Sequence, residues 1–174
     1  MVSRYHHCRH FDLFVFAIWD GGGMKGVKQV AMRDFPFLCR QIYADGQGGK
    51  LLRCQKHDLR GKPDYIYKNI ITGRIVPMEL KSGEVDDTPH YGDLMQLAAY
   101  FLIIESAMDK KPKKGYLRYK NAMFKVKNTA KLRKTLLNVV ADMREMLATG
   151  EGKANPSFVN CRHCVAKGTV CEFS

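Results

Sequence analysis

The stretch that decides the fold covers residues 61–83 and reads GKPDYIYKNIITGRIVPMELKSG. It holds two runs rich in β-branched and aromatic residues, at 65–67 and 74–78, with the turn-forming residues Asn69, Thr72 and Gly73 between them. Extended runs on both sides of such a turn predict a β-hairpin. The sequence therefore predicts a sheet that extends outward from this hairpin.

Charged residues gather at one end of the predicted hairpin. Asp64 opens the first strand, and Glu79 and Lys81 end the second, two residues apart and therefore on one face. Leu80 between them is expected to point into the core. Two carboxylates and an ammonium that converge in this way suit a hard divalent cation, with the lysine holding a water or a phosphate oxygen. A solvated hairpin face would show the same three charges, so both readings stay open on this pattern alone.

A helix is predicted after the hairpin. Residues 94–105, LMQLAAYFLIIE, are apolar on nearly every side, which is typical of a helix buried against a sheet. Gln96 and Tyr100 lie four residues apart and share a face of this helix. Their buried polar groups need hydrogen-bond partners, either elsewhere in the core or at the hairpin.

The second half of the chain predicts two more strands, at 115–119 and 123–127, and a long amphipathic helix at 129–149. We expect Thr129 to cap the helix and Gly150 to end it. The apolar stripe of the helix comprises Leu132, Leu136, Val139, Val140, Met143 and Leu147. The residues here that could follow a phosphate backbone are Arg118, Tyr119, Lys120, Lys125 and Lys127, with Tyr119 available for base stacking. A solvated strand edge would show the same residues, so both readings stay open.

The charge balance and the cysteines indicate the setting. The chain has 29 Lys and Arg against 17 Asp and Glu, a net charge of +12, which favours a polyanionic partner. The cysteines do not form a disulfide pattern, so we expect a reducing, cytoplasmic location. The apolar segment 11–19 is too short to cross a bilayer, and no membrane association is predicted.

The C-terminal tail carries three cysteines with the spacing of a metal centre, Cys161-x-x-Cys164-x6-Cys171. Three thiolates leave a four-coordinate site one ligand short, so a fourth must come from elsewhere in the chain. The spacing alone fits Zn²⁺ and a [4Fe–4S] cluster equally well. His163 is a further candidate ligand within the tail.

The order of these motifs resembles the PD-(D/E)xK nucleases of the RecB type. More narrowly, it is similar to the CRISPR-associated RecB-like iron–sulfur exonucleases, the "Cas four" proteins. The resemblance covers about residues 59–171. It implies an α/β fold with a restriction-endonuclease-like core, in which helices flank a mixed central sheet and the C-terminal cysteine cluster joins the N-terminal region.

The resemblance also implies an activity. The family's members are metal-dependent deoxyribonucleases that act on single-stranded DNA, often from an end, and the CRISPR members trim DNA before its capture as spacers, with integrase proteins as partners. By this likeness Asp64, Glu79 and the Leu80 carbonyl would bind Mg²⁺ or Mn²⁺, and Lys81 would orient the attacking water. The remaining site residues, Gln96 and Tyr100, would position the strand.

One departure from the family pattern concerns a metal-binding histidine. The family often places this ligand on a helix well before the aspartate, whereas the nearest upstream histidine here is His57, seven residues before Asp64. Either His57 substitutes for that ligand or the chain lacks it. The second case motivates an alternative function, a catalytically weak nucleic-acid-binding subunit that docks a CRISPR adaptation or repair complex.

The resemblance favours a [4Fe–4S] cluster over Zn²⁺ in the tail. The family usually begins with a Tyr-x-x-Cys element, which Tyr5 and Cys8 match, so Cys8 is the favoured fourth ligand. Cys39 is the runner-up and Cys54 the weakest candidate, because Cys54 lies in the segment leading to the hairpin.

The chain is expected to form one domain of 174 residues. Within it we assign 1–50 to an N-terminal helical or loop region, 51–149 to the nuclease core and 150–174 to the cysteine tail. Residues 51–60 are expected to enter the hairpin as a further strand.

Overall fold

The computed structural model describes residues 26–36 and 38–151 of the chain. Six strands form one sheet: β1 (Val27–Val30), β2 (Cys39–Ala44), β5 (Tyr65–Asn69), β6 (Ile75–Leu80), β7 (Lys114–Arg118) and β8 (Met123–Lys127). Two short strands, β3 (Leu52–Cys54) and β4 (Leu59–Gly61), pair separately. The helices are α1 (Tyr91–Met108) and α2 (Ala130–Thr149).

The six strands lie in the order β1-β8-β7-β6-β5-β2. The β6–β7 pair is parallel and the other four pairs are antiparallel, so the sheet is mixed, as predicted. The parallel pair needs a crossover, and α1 supplies it between the two strands. The end of β6, where Glu79 lies, is therefore followed directly by the loop that leads into α1.

The predicted hairpin is confirmed as β5–β6, with Tyr65 opposite Met78 and Tyr67 opposite Val76. Its turn is closed by Asn69, whose side-chain oxygen accepts hydrogen bonds from the backbone of Ile71 and Thr72, the latter at 2.7 Å. Gly73 has a φ of 65°, a left-handed conformation that glycine adopts without steric penalty. Local side-chain chemistry therefore sets the register of this hairpin.

The two faces of the sheet follow from the register. Glu79 lies opposite Leu117, which lies opposite Phe124, so these three share the face that packs against α1. Gly115 permits a close approach there, since a Cβ at that position would lie 2.9 Å from the ring of Phe101 on α1. The interior of the fold lies between this face and α1, as expected for an all-round apolar helix.

The expectation that Leu80 points into the core is wrong. Leu80 is 40% exposed, whereas Glu79 is only 4% exposed. The core face at this end of β6 is the one that bears the carboxylate, because α1 covers it with polar as well as apolar side chains.

The opposite face of the sheet carries a second apolar cluster of Val76, Met78, Tyr116 and Met123. The ring of Phe35 closes this cluster from the N-terminal side, with its centroid 4.9 Å from that of Tyr67 and 5.2 Å from that of Tyr116. The segment before β2 therefore takes part in the core.

Two further expectations need correction. Residues 1–50 are not only a helical or loop region, because β1 and β2 lie there and form the two edges of the main sheet. Residues 51–60 do not form one strand that enters the hairpin; they contribute the antiparallel pair β3–β4, whose strands flank a 3-10 turn at Gln55–His57. That pair packs on α1.

The chain divides into two compact units, Met1–Val139 and Val140–Ser174, and α2 continues from the first into the second.

Thr129 caps α2 as predicted, because its hydroxyl accepts a hydrogen bond from the Leu132 N–H at 3.1 Å. Leu132, Leu136 and Val139 are buried, but Leu147 is 78% exposed, so the predicted core stripe does not extend that far. Within the described ranges no helix is long and apolar enough to cross a membrane.

Candidate active site

Two carboxylates meet at one end of the β5–β6 hairpin. Asp64 directly precedes β5, and its N–H donates to Glu79 Oε2 at 3.3 Å. In return, the N–H of Leu80 donates to Asp64 Oδ2 at 2.7 Å. These two bonds run from backbone N–H groups to side-chain carboxylates, just beyond the Tyr65–Met78 pair that ends the hairpin register, and they hold the two side chains together.

The ammonium of Lys81 lies beside this pair. Its Nζ is 3.6 Å from Glu79 Oε1 and 3.0 Å from Asp93 Oδ1, and it donates to Gln96 Oε1 at 2.6 Å. The side chain is 20% exposed, so the charged end stays partly accessible to solvent. Two carboxylates and one amide therefore hold the position of the lysine.

Helix α1 brings Gln96 and Tyr100 to the same site. The Gln96 side-chain nitrogen donates to Glu79 Oε1 at 2.7 Å and to the Tyr100 hydroxyl at 3.0 Å, and that hydroxyl donates to the Lys62 carbonyl at 3.1 Å. The spacing of four residues places both side chains on one face of the helix. Their buried polar groups are satisfied by the carboxylate site and by the segment that precedes Asp64.

The surroundings of Glu79 raise the pKa of its carboxyl group. Burial, first, and the neighbouring charge of Asp64, second, raise its pKa to about 7, although Lys81 and the Asp64 N–H act in the opposite direction. Burial and the Glu79 charge also raise the pKa of Tyr100 above its ordinary value, so its phenol keeps its proton and serves as a hydrogen-bonding group. A raised carboxylate pKa in a buried, charged cluster is typical of functional sites.

The prediction that Tyr119 stacks on bases is wrong. Tyr119 is 2% exposed, its hydroxyl donates to Asp93 Oδ2 at 2.5 Å, and it accepts from the N–H of His90 at 3.2 Å. Burial and the Asp93 hydrogen bond raise its pKa. Tyr119 instead holds the carboxylate that pairs with Lys81.

Asp93 is a site residue that the sequence reasoning missed. It lies three residues before Gln96 in the first turn of α1, and a spacing of three places it on the same helix face. That spacing was a usable signal, but the loop before α1 offers several acidic residues, and only the fold shows which one reaches Lys81.

The other residues predicted to bind DNA, Arg118, Lys125 and Lys127, do not join the cluster around Glu79. Arg118 ends β7 opposite Leu80 and is exposed on the face that Leu80 shares, not on that of Glu79. Lys125 lies opposite Tyr116, a neighbour of Met78, so Lys125 and Lys127 project from the face opposite that of Glu79. Their predicted contact with a strand entering the site therefore lacks support from the register.

The structure does not bring His57 to the carboxylates. It lies in the 3-10 turn between β3 and β4, at the opposite end of that pair from Gly61. In the described part of the chain no three His, Cys, Asp or Glu side chains are grouped to hold a metal ion. A ligand role for His57 beside Asp64 and Glu79 is therefore not observed.

The structure describes only two of the cysteines considered as metal ligands, Cys39 and Cys54. Cys8, Cys161, Cys164 and Cys171 lie outside the described residues, and so does His163. Cys39 begins β2 and receives a weak hydrogen bond from the Asn69 side chain, while Cys54 is buried in β3. The cluster and its fourth ligand stay predictions.

Comparison with known families bears directly on this site. The family model of the PD-(D/E)XK nuclease superfamily matches residues 17–172, most of the chain. The chain belongs to this superfamily. Its mixed sheet with flanking helices agrees with the superfamily fold, and the domain is accordingly a nuclease domain. Comparison with curated proteins finds no significant match.

Nucleases of the PD-(D/E)XK superfamily usually use Mg²⁺ or Mn²⁺, and the donor set fits such an ion. Mg²⁺ in phosphoryl-transfer sites is typically held by one or two carboxylates, with water and substrate phosphates completing its shell. Asp64 and Glu79 supply two carboxylates whose mutual repulsion contributes to the raised Glu79 pKa. A divalent cation between them would remove that repulsion.

Proposed function

We propose that this PD-(D/E)XK nuclease domain is a Mg²⁺- or Mn²⁺-dependent deoxyribonuclease that acts on single-stranded DNA. The observation that carries the proposal is the buried Glu79 carboxylate, held between Asp64 and Gln96 with the Lys81 ammonium 3.6 Å away. A purely structural lysine–glutamate pair does not need a second carboxylate against the first. This arrangement suits phosphodiester hydrolysis, in which charge develops on the phosphate oxygens.

Each residue has a role in this proposal. Asp64 and Glu79, helped by the Leu80 carbonyl, would hold the cation, which when bound polarises the scissile phosphate and lowers the pKa of water. Lys81, held in place by Asp93 and Gln96, stabilises charge on the phosphate and orients the attacking water. The Gln96–Tyr100 pair keeps the Glu79 oxygen aimed at the site.

The finer assignment is also a proposal and rests on motif order. We infer an exonuclease of the CRISPR-associated RecB-like type that trims DNA for spacer acquisition beside integrase proteins in the cytoplasm. Its tail would carry a [4Fe–4S] cluster on Cys161, Cys164, Cys171 and Cys8. Thiolates at metal-ligand spacing in a basic chain support this reading.

A second candidate function is a nucleic-acid-binding subunit with weak catalysis. The position of His57 favours it, because the described residues provide two carboxylates and no histidine at the metal site. The intact set of Asp64, Glu79 and Lys81 favours the nuclease, since a protein that only binds DNA has no use for a buried carboxylate pair.

The test uses single-stranded DNA labelled separately at each end, incubated with Mg²⁺, Mn²⁺ or EDTA. Hydrolysis should require the cation, and Glu79→Ala and Lys81→Ala should each reduce the rate at least roughly 100-fold. Glu145→Gln, on an exposed position of α2, is the control and should retain the wild-type rate. Full activity of both site variants would refute the catalytic assignment, and binding without any hydrolysis by the wild type would favour the second candidate.

A further inference from the structure

The outer face of the β3–β4 pair has an unusual charge arrangement. Arg53 and Arg60 lie directly opposite each other in the antiparallel register, and both are exposed. Residues opposite each other across such a pair have Cβ atoms about 5 Å apart, and like charges there are destabilising. A repulsive pair at this position is unfavourable for the folded protein by itself, which indicates a use for it.

The inner face of the same pair explains why the arginines point outward. Cys54 is buried there, and Gly61 lies so close to α1 that a Cβ on it would be 2.8 Å from the Tyr100 ring. Because side chains alternate along a strand, Arg53 and Arg60 share the opposite face. The pair is thus a rigid support, fixed to the helix that carries Gln96 and Tyr100.

No protein group neutralises these arginines in the described part of the chain. Two other cations near the site are paired: Lys62 with Asp45 at 3.0 Å, and Lys81 with Asp93 at 3.0 Å. Neither Arg53 nor Arg60 has an acidic partner within ion-pair distance among the described residues. The segment 50–62 contains five Lys and Arg and one acidic residue, Asp58.

The arginine pair also lies near the reaction site along the chain. Asp64 is the fourth residue after Arg60, which limits the distance between their Cα atoms to about 14 Å. This length corresponds to about four stacked nucleotides at a rise of about 3.4 Å each. The Tyr100 hydroxyl, bonded to the carbonyl of Lys62, fixes the intervening segment.

We propose that Arg53 and Arg60 on the β3–β4 pair bind the phosphates of the substrate DNA strand a few nucleotides from the bond that is cleaved. The inference rests on the proposed nuclease function and identifies its strand-binding surface. Guanidinium groups bind phosphates in bidentate fashion, and two adjacent guanidiniums suit two neighbouring phosphates. The surface differs from the Lys125–Lys127 face, which lies on the other side of the main sheet.

The experiment measures binding of a fluorescein-labelled single-stranded oligothymidylate by fluorescence anisotropy in EDTA, over a series of salt concentrations. The double variant R53Q/R60Q should lose about tenfold in affinity near 0.15 M salt, and its salt slope should flatten by about 1.4, for two lost contacts at about 0.7 each. Its melting temperature should equal or exceed that of the wild type, because a repulsive pair is removed.

The charge-matched control is K125Q/K127Q, which removes the same two charges from the opposite face. It should leave affinity and slope close to those of the wild type. An unchanged slope in R53Q/R60Q, or an equal loss in both double variants, would overturn the proposal. If R53Q/R60Q loses both binding and thermal stability, the variant R53K/R60K, which retains both charges, separates the two causes. R53K/R60K should keep the salt slope of the wild type. A flattened salt slope in R53K/R60K would count against phosphate contact.

The binding test and the nuclease test can each refute one proposal without refuting the other. Binding in EDTA needs no hydrolysis, so arginine-dependent binding without cleavage would remove the proposed nuclease function and leave the strand-binding surface intact. Cleavage with unchanged binding by R53Q/R60Q would remove the surface and leave the nuclease.

Discussion

Glu79→Gln is expected to stabilise the metal-free protein at pH 8 while removing activity. The pKa of Glu79 is raised from 4.5 to about 7 by burial and by the charge of Asp64. Between these values the unfolded chain loses its proton while the folded protein keeps it. The folded state binds more protons there, so the free energy of unfolding falls as pH rises through this interval.

The size of the effect follows from that interval. At about 1.4 kcal/mol per pH unit, the ionised Glu79 destabilises the fold by about 3 kcal/mol above pH 7. For a chain of 174 residues this corresponds to a change in melting temperature of roughly 6–12 °C. The glutamine can still accept the Gln96 amide hydrogen that Glu79 accepts at 2.7 Å, and Lys81 retains its ion pair with Asp93.

The assay compares thermal melts of wild type and Glu79→Gln in EDTA between pH 5 and 8. The two proteins should melt at similar temperatures at the acidic end, and the variant should melt higher at pH 8. Added Mn²⁺ should raise the wild-type melting temperature and leave that of the variant nearly unchanged. Glu145→Gln, on an exposed helix position, should follow the wild type throughout. A difference between wild type and Glu79→Gln that stays flat across the range, or a less stable variant at pH 8, would refute the reasoning.

Three further predictions concern other parts of the molecule. Asp93→Asn should lower kcat about tenfold with little change in KM, because it removes the 3.0 Å ion pair that positions Lys81 and no group that touches substrate; a loss expressed only in KM would contradict this. Gly61→Ala should lower both the melting temperature and the activity, since the added Cβ would lie 2.8 Å from the Tyr100 ring, whereas Gly46→Ala, where nothing lies within 4 Å, should do neither. Anaerobically purified protein should contain iron and absorb near about 400 nm, and Cys8→Ser but not Cys54→Ser should lose the metal and the stability linked to it; equal metal content in both variants would remove Cys8 as a ligand.

The local chemistry of the sequence was sufficient to predict the β5–β6 hairpin and the polar face of α1. Runs of β-branched and aromatic residues on both sides of a turn that contains Asn69 and Gly73 specify a hairpin, and a spacing of four places Gln96 and Tyr100 together on a helix. Both signals arise between neighbours in the chain. The convergence of Asp64 with Glu79 followed in turn, because strand pairing brings the two ends of a hairpin together.

Only the tertiary structure decided which side chain is buried at the end of β6, Glu79 or Leu80. Because side chains alternate along a strand, Glu79 and Leu80 point to opposite faces of the sheet. The hydrophobicity of Leu80 led to the prediction that the leucine, and not the glutamate, is buried. The helix that covers the sheet instead offers Gln96 as a partner, which makes burial of the carboxylate possible. That partner is distant in sequence, and no pattern within β6 reveals it.

The same reason applies to the Asp93–Tyr119 contact and to the Arg53–Arg60 pair. The first joins α1 to the end of β7, 26 residues apart in sequence, and the second depends on the register of two three-residue strands. Strands that short carry too few residues for their periodicity to predict pairing. Composition and spacing along the chain therefore determined the chemistry of the site, while the pairing of segments distant in sequence determined which charges enclose the lysine and which remain free for a ligand.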